Sequence, residues 1–379
     1  MTATSSSAAS TSDTSARRRA LLASVVELYW PLAAAMLMAA VGYATPAGAA
    51  GYTVATNVLV GVLFLVLGLT LNLEELRKGS LAWRFHLLLQ GFSLVLSPSL
   101  YYFAVYRWGW EVSSGILTRP LAVGCMAACC MPTTAATSLV FVLQAGGDAS
   151  VSAFNMAFAQ TAGVLVAPLS VSLLVGGSGS SNVPKALWKM SYRILMPLVG
   201  GVLLQLLAIR AIGAVRARRT LRRLKPLNIV CLVVLFYFIF VKAFADSRGL
   251  LTAVGMLKLL AWIACVHIVL LGAAWVAASH LLPARRVAFV LVAPQKTEGL
   301  ALAVLSSLFP SSSSMPIGEL ALPVIAYHSV QMVVASVVVP LLRWRFGAEL
   351  AQPRSEVDVD RTALVGDGGR GDGELVSVN

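Results

Sequence analysis

Residues 125–147, CMAACCMPTTAATSLVFVLQAGG, decide the fold of this chain. A long apolar run is interrupted inside them by Met131-Pro132-Thr133-Thr134. Because proline has no N–H and its ring clashes with a carbonyl of the preceding turn, a helix must kink or break there. In a lipid bilayer the freed backbone groups have to face protein, water or a ligand. The stretch predicts a broken membrane helix beside a polar cavity, with an ordinary proline kink in a helix bundle as the alternative.

A second interruption of the same kind occurs far along the chain, at residues 293–298, APQKTE. Broken hydrophobic segments at corresponding positions of two halves are typical of carriers, whose binding sites lie where the halves meet. The two breaks therefore predict a binding site for a small solute.

The composition indicates a membrane protein that crosses the bilayer many times. Of the 379 residues, 58% are hydrophobic and only 12% are charged, about half the charged fraction of soluble domains. The net charge of +13 comes from basic residues that lie mostly between hydrophobic segments, so cytoplasmic loops explain it better than nucleic-acid binding. The five cysteines lie in apolar runs and are interpreted as helix residues rather than disulfides or metal ligands.

The hydrophobic pattern predicts an all-α polytopic protein with about ten spans, since one span needs about twenty apolar residues. A disordered cytoplasmic segment, 1–27, precedes a transmembrane domain, 28–345, with repeats at 28–176 and 188–345, and a disordered cytoplasmic tail, 346–379, follows. The predicted spans lie near 28–43, 52–72, 85–106, 120–143, 151–175, 188–209, 226–244, 251–280, 287–309 and 318–342.

The loop charges give the orientation. The loops alternate between a strongly basic set, which includes Arg17–Arg19 and the seven basic residues of 210–225, and a sparse set such as Arg107, Arg119 and Lys185. The basic loops of a membrane protein face the cytoplasm. Both termini are therefore expected on the cytoplasmic side.

Proline spacing suggests an internal repeat. Pro31 and Pro197 are 166 residues apart, the two break prolines Pro132 and Pro294 are 162 apart, and prolines late in the fifth and tenth spans are 172 apart. With five spans in each half, the halves would be inverted across the bilayer.

The order and spacing of several short motifs resemble those of the bile acid/sodium symporter superfamily, solute carrier family 10, and specifically its seventh-member branch with bacterial relatives. The matching pieces span about 28–345 and include Gly68-Leu69-Thr70-Leu71, Trp83-Arg84-Phe85-His86 through Gln90, Cys130-Met131-Pro132-Thr133-Thr134, Ala145-Gly146-Gly147, Asn155, Gly163, Pro168, Gln295-Lys296-Thr297, Pro323, Tyr327-His328, Gln331 and Pro340.

The resemblance implies ten helices in two inverted five-helix repeats, arranged as a panel domain and a core domain, with broken helices 4 and 9 crossing in the core. Two positions depart from the branch. Thr137-Ser138 replaces a Ser-Asn pair whose Asn helps to line a cation site in sodium-coupled relatives, and Glu298 replaces a small or apolar residue. The first departure argues against sodium coupling as in those relatives.

The candidate solute- or ion-binding residues are polar groups at the two breaks and buried amides or histidines in neighbouring spans. A Lys in mid-membrane costs about 3 kcal/mol on insertion scales, so Lys296 is expected to be part of the coupling machinery, with a structural salt bridge to another helix as the alternative. For the amides, hydrogen bonding between helices is the alternative. The candidates are Gln90, Pro132, Thr133, Thr134, Thr137, Ser138, Asn155, Gln295, Lys296, Thr297, Glu298, His328 and Gln331.

Two functions from different classes remain open. One is a secondary transporter of a small organic solute, in particular an organic anion, working by alternating access where helices 4 and 9 cross, with sodium or a proton as coupling ion. The other is a non-transporting membrane regulator of ion, specifically calcium, homeostasis, which the resemblance leaves open. No enzyme motif, metal cluster or Walker loop is present in the sequence, and no cofactor is expected. The expected partners are the solute and the lipid bilayer of the plasma membrane or a secretory-pathway membrane.

The orientation is testable by cysteine labelling. Arg218→Cys should react with a membrane-impermeant thiol reagent only after the cytoplasmic face is opened, because the 210–225 loop is expected inside. Lys185→Cys, in a loop of the sparse set, is the matched control and should react on intact cells. Labelling of folded Arg218→Cys protein from outside intact cells would overturn the orientation.

Overall fold

The computed structural model describes residues 33–34, 37–38, 40–42, 44–45, 52–71, 82–134, 136–175, 188, 191–246, 252–309 and 315–350. Every regular element among these residues is helical, and no described residue lies in a β-strand. The first predicted span, the terminal segment 1–27 and residues 351–379 fall wholly or mainly outside the described ranges.

Fourteen α-helices follow one another in the described residues, with turns of π-helix at Phe92–Leu96 and Ser191–Leu195 and a 3₁₀ turn at Tyr106–Trp108. They are α1 (Tyr52–Thr70), α2 (Trp83–Gly91), α3 (Ser97–Ala104), α4 (Trp110–Ser113), α5 (Arg119–Cys129), α6 (Ala136–Ala145), α7 (Ala149–Val175), α8 (Met196–Ile212), α9 (Ala214–Arg222), α10 (Lys225–Asp246), α11 (Ala253–Ala277), α12 (Pro283–Val292), α13 (Glu298–Leu308) and α14 (Ile317–Leu350).

The helices match the hydrophobic pattern. Each predicted span after the first coincides with one helix or with consecutive helical pieces. Five helical segments in the described residues are long and apolar enough to cross a membrane: Trp83–Trp108, Ala149–Val175, Tyr192–Ile212, Ala253–Ala277 and Ile317–Leu350. The protein is therefore an all-helical, polytopic membrane protein. Its last helix continues to Leu350, so the first residues of the predicted tail are helical.

Both predicted breaks interrupt the helices. The first separates α5, which ends at Cys129, from α6, which begins at Ala136. The second separates α12, which ends at Val292, from α13, which begins at Glu298. In each case a proline follows the end of the first helix within a few residues, as expected for a residue that cannot continue the hydrogen-bond ladder.

The four half-helices lie in two apolar clusters. The buried residues of α5 and α13 belong to one cluster, and those of α6 and α12 belong to the other. The chain thus passes from the first cluster to the second at the first break and returns at the second break. The two broken segments therefore run in opposite directions between the clusters, and α14 contributes its first half to one cluster and its second half to the other.

Helix α1 packs against both α8 and α10, and α10 also packs against α14. The closest approach is between Gly68 and Gly201, where a Cβ added to Gly68 would lie 2.2 Å from the Leu198 carbonyl oxygen and 3.1 Å from the Gly201 Cα. Small residues at such positions let membrane helices pack backbone to backbone.

A third glycine determines how the first break is held. A Cβ on Gly163 of α7 would lie 2.4 Å from Cγ of Pro132 and 2.9 Å from its Cβ. The proline ring therefore packs directly on the α7 backbone, and the absence of a side chain at residue 163 fixes the depth of the break.

Gly163→Ala should destabilise the folded protein by about 1–3 kcal/mol, since the added methyl overpacks a filled site. The measurement is thermal unfolding of the purified protein in detergent. Gly272→Ala is the matched control, because a Cβ there would meet nothing within 4 Å and alanine favours a helix. Equal unfolding temperatures for Gly163→Ala and the wild type would contradict this packing.

Candidate functional site

The two breaks are joined by backbone hydrogen bonds. The N–H of Thr297 donates to the carbonyl oxygen of Pro132 at 3.0 Å. Thr133 Oγ1 donates to the carbonyl oxygen of Val292 at 2.8 Å. Each break thus satisfies groups that the other leaves without a helical partner, which is the requirement for irregular backbone inside a membrane protein.

The side chain of Lys296 occupies the centre of this contact and is only 2% exposed. Its Nζ donates to the carbonyl oxygens of Ser93 at 2.6 Å and Met131 at 3.0 Å, and lies 3.4 Å from the Ser93 hydroxyl. Among the described residues no carboxylate forms a salt bridge with this ammonium group. Three oxygen atoms, two of them backbone carbonyls, therefore surround a buried cation.

The Ser93 carbonyl is available because of the π-helical turn. The N–H of Ser97, which would bond Ser93 in a regular α-helix, donates instead to Phe92. The next residue is Pro98, which has no N–H to offer. The Ser93 oxygen is thus left without its helical donors and accepts from Lys296.

Two glutamine side chains form hydrogen bonds to the backbone of the breaks. Gln160 on α7 donates through Nε2 to the carbonyl oxygen of Thr133 at 3.0 Å. Gln331 on α14 donates through Nε2 to the carbonyl oxygen of Lys296 at 3.0 Å, and its Oε1 accepts from the Lys296 N–H at 2.8 Å. Each break is held by a glutamine from the long helix that follows it in the sequence.

Glu298 pairs with a histidine rather than with Lys296. Its Oε2 lies 2.8 Å from Nδ1 of His328, and both side chains are at least nine-tenths buried. Nδ1 also lies 3.1 Å from Gln331 Nε2. The second ring nitrogen, Nε2 of His328, is buried and has no hydrogen-bond partner in the described part of the chain.

Further hydroxyl and amide groups complete the centre. Tyr327 donates its hydroxyl to the Pro294 carbonyl oxygen at 2.9 Å and lies 3.0 Å from Nδ1 of His267. Ser138 donates to Gln295 Oε1 at 3.2 Å, which links α6 to the second break. Thr134 Oγ1 and Thr137 Oγ1 are 3.3 Å apart.

Gln90 and Asn155 form a pair of their own. Gln90 Nε2 donates to the Asn155 carbonyl oxygen at 3.0 Å and lies 3.3 Å from its Oδ1. Asn155 Nδ2 lies 2.7 Å from Nδ1 of His86. In the described contacts this pair links α2 to α7 and does not touch the two breaks. The Oε1 atom of Gln90 is buried without a partner.

The structure brings most of the sequence candidates together. The two breaks, Ser138, His328 and Gln331 form one connected polar centre, to which Thr134 and Thr137 are adjacent, whereas Gln90 and Asn155 lie apart from its hydrogen bonds. The sequence candidates included neither the carbonyl of Ser93 nor the amide of Gln160. A signal existed for the first, because Pro98 must free a carbonyl in the preceding turn.

No group of three or more His, Cys, Asp or Glu side chains suited to a metal ion occurs among the described residues. The charged groups of the centre are one buried ammonium, Lys296, and one buried carboxylate, Glu298. The arrangement can therefore bind an ion or polar solute through backbone carbonyls, hydroxyls, amides and one imidazole.

Comparison with known proteins gives the same type of molecule. The chain is 24% identical over 305 residues to sodium/bile acid cotransporter 7 of Mus musculus, covering 78% of this chain and 86% of that protein. It is 24% identical over 301 residues to sodium/bile acid cotransporter 7-A of Xenopus laevis, and 23% identical over 299 residues to sodium/bile acid cotransporter 7 of Danio rerio. These alignments cover 78% of this chain and 84% and 86% of the two relatives.

Residues 28–344 match the family described as the SBF-like CPA transporter family. The match includes both breaks, Lys296 in the second break, and all the helices described above except the last six residues of α14. These relatives also agree with the seventh-member-like resemblance within the bile acid/sodium symporter superfamily. This chain belongs to the SBF-like CPA transporter family.

Proposed function

We propose that the protein is a secondary transporter of a small organic anion that works by alternating access at the contact between the two breaks. The observation that carries the proposal is the buried ammonium of Lys296, held by oxygen atoms of two other segments where both broken helices meet. Charged groups inside a membrane protein are costly and mark the pathways of ions and substrates. The names of the relatives, which specify sodium and bile acids, make a bile acid the first solute to test.

Ten membrane helices in two inverted repeats are part of the proposal. Its support is the correspondence of the glutamine contacts, since Gln160 and Gln331 are 171 residues apart and the prolines Pro168 and Pro340, on the same two helices, are 172 apart. Both glutamines donate to a carbonyl just after the break proline of their own half. Repeats related by an axis in the membrane plane place such equivalent contacts on the two sides of a central site.

Helices α1, α8 and α10 would form the panel domain, and the helices around the breaks would form the core domain. This division is supported by the backbone contact at Gly68 and Gly201, which holds α1 and α8 together as one unit. Movement of the core past this unit would expose the centre first to one side of the membrane and then to the other. The membrane itself would be the plasma membrane or one of the secretory pathway.

Lys296 would take the place of a coupling sodium ion. Carbonyl and hydroxyl oxygens are the ligands that hard cations prefer, and here they surround an ammonium group on the chain. Because the ammonium is covalently attached, its positive charge remains in the centre throughout the transport cycle. This fits the presence of Ser138 where sodium-coupled relatives have an asparagine.

Lys296→Met should abolish anion binding in choline chloride and make anion binding depend on sodium. The shorter uncharged side chain leaves the Ser93 and Met131 carbonyls without a cation, which a sodium ion can then supply. The measurement is thermal unfolding of purified protein in detergent with sodium or choline chloride, with and without taurocholate. Taurocholate should stabilise the wild type equally in both salts, whereas sodium alone should stabilise Lys296→Met.

Lys258→Met is the matched control, since Lys258 also donates to a backbone carbonyl, that of Gly115, but is exposed. It should behave like the wild type in both salts. Taurocholate stabilisation of Lys296→Met that persists in choline chloride would remove the lysine from the binding site. Stabilisation of the wild type that needs sodium would contradict the replacement of the ion.

A further inference from the structure

We propose that His328, held by Glu298, binds the coupling proton at Nε2 and donates it in a hydrogen bond to the transported anion, so that the protein is an electroneutral proton–anion symporter. The inference rests on the proposed transport function and adds the coupling ion and the stoichiometry. It is based on the contact between the two side chains, on the partnerless Nε2 atom and on the charge balance of the centre.

The contacts define the state of the imidazole in this structure. Nδ1 lies 2.8 Å from Glu298 Oε2, which can only accept, and 3.1 Å from Gln331 Nε2, which can only donate, so its partner depends on whether it carries a hydrogen. Glu298 Oε2 has no aligned hydrogen-bond donor within the described ranges, but we place the hydrogen of the neutral ring on Nδ1 because the carboxylate is nearer, charged and can only accept. Nε2 is then an unprotonated acceptor. A protonated Nε2 would be a buried donor without an acceptor, which is costly.

Charge balance explains why proton and anion would bind together. Without ligands the centre contains Lys296 with charge +1 and Glu298 with charge −1, and His328 is neutral. One proton on Nε2 raises the net charge to +1, and one monovalent anion returns it to zero. A net charge in the membrane interior is disfavoured. The empty and the fully loaded carrier can therefore change conformation, whereas the forms with only one ligand are held back.

The proton step is simple in chemical terms. A proton from the aqueous side binds the Nε2 lone pair, and no covalent bond between heavy atoms forms or breaks. The resulting imidazolium donates through Nδ1 to Glu298 and through Nε2 to an oxygen of the anion. On the opposite side of the membrane the anion leaves and the same proton returns to water.

Few other titratable or charged groups face this pair from the surrounding helices. Arg285 and Arg286 lie in the first turn of α12, away from the break, Glu319 lies in the first turn of α14, and α6, α7 and α1 after Tyr52 contain no titratable residue. The buried ones nearest the centre, from the second break, α5, α10, α11 and α14, are Lys296, Cys129, Cys130, Cys231, His267 and Tyr327. Of these six, only Lys296 carries a charge at neutral pH in its usual state.

The proton site can be tested without a solute. Infrared difference spectra between pH 8 and pH 5 of the purified protein should contain a histidine protonation signal that disappears in His328→Gln. His280→Gln is the matched control, since His280 is exposed in the turn after α11, and it should lose only the signal of a surface histidine. An unchanged spectrum in His328→Gln would overturn the proposal.

Transport adds a second test with taurocholate in proteoliposomes. At one proton per anion, an inward gradient of one pH unit should drive about tenfold accumulation, and an imposed membrane potential should leave it unchanged. His328→Gln should lose this accumulation, although its thermal unfolding temperature should equal that of the wild type. His280→Gln should keep the accumulation.

The outcomes separate the two proposals. Absence of taurocholate stabilisation and uptake in the wild type at every pH, together with an intact His328 protonation signal, would contradict the proposed transport of this anion and leave the proton site supported. Uptake that ignores the pH gradient, responds to membrane potential or survives in His328→Gln with its pH dependence would overturn the proton site and leave transport supported.

Discussion

The fold depends on a buried ammonium group held by carbonyl oxygens from other parts of the chain. The second break directs the side chain of Lys296 towards the first break, where its Nζ reaches the carbonyl oxygens of Ser93 and Met131. A cation without a salt-bridge partner is among the most unfavourable groups to place in a membrane, so the oxygens around it are a condition for folding. The π-helical turn at Phe92–Leu96 and the break prolines Pro132 and Pro294 each weaken their own helix. Together they free the backbone groups that surround Lys296 and join the two breaks.

The two glutamines show how an interrupted helix can be stable in such surroundings. Gln160 and Gln331 present an amide to a carbonyl that has lost its helical donor. An amide side chain can both donate and accept, and Gln331 uses both capacities on the backbone of Lys296. The long helices α7 and α14 thus stabilise the breaks that precede them in the sequence. The same kind of contact thus occurs at both breaks, whereas the buried charges described at the centre, Lys296 and Glu298, lie at the second break.

The sequence predicted the helices, the breaks and most polar residues of the centre, because hydrophobic length and proline chemistry act locally along the chain. It could not predict which groups would pair. Glu298 lies two residues from Lys296 yet contacts His328 on α14, since the break turns the two neighbours in different directions. Gln90 on α2 and Asn155 on α7, both predicted site residues, bond each other. These choices depend on helix packing over long sequence separations, which no local pattern encodes.

The glycine contact between α1 and α8 has a consequence for the mechanics of the protein. With no side chain between Gly68 and Gly201, the two backbones touch directly, and neither helix can slide along the other without lifting off a neighbouring carbonyl. The two helices are therefore expected to move together as one rigid unit rather than to slide past each other. Any large displacement between this pair of helices and the rest of the molecule must therefore occur at other surfaces, which are lined by longer side chains. Aliphatic side chains there can change rotamer and keep most of their contact area as the helices move.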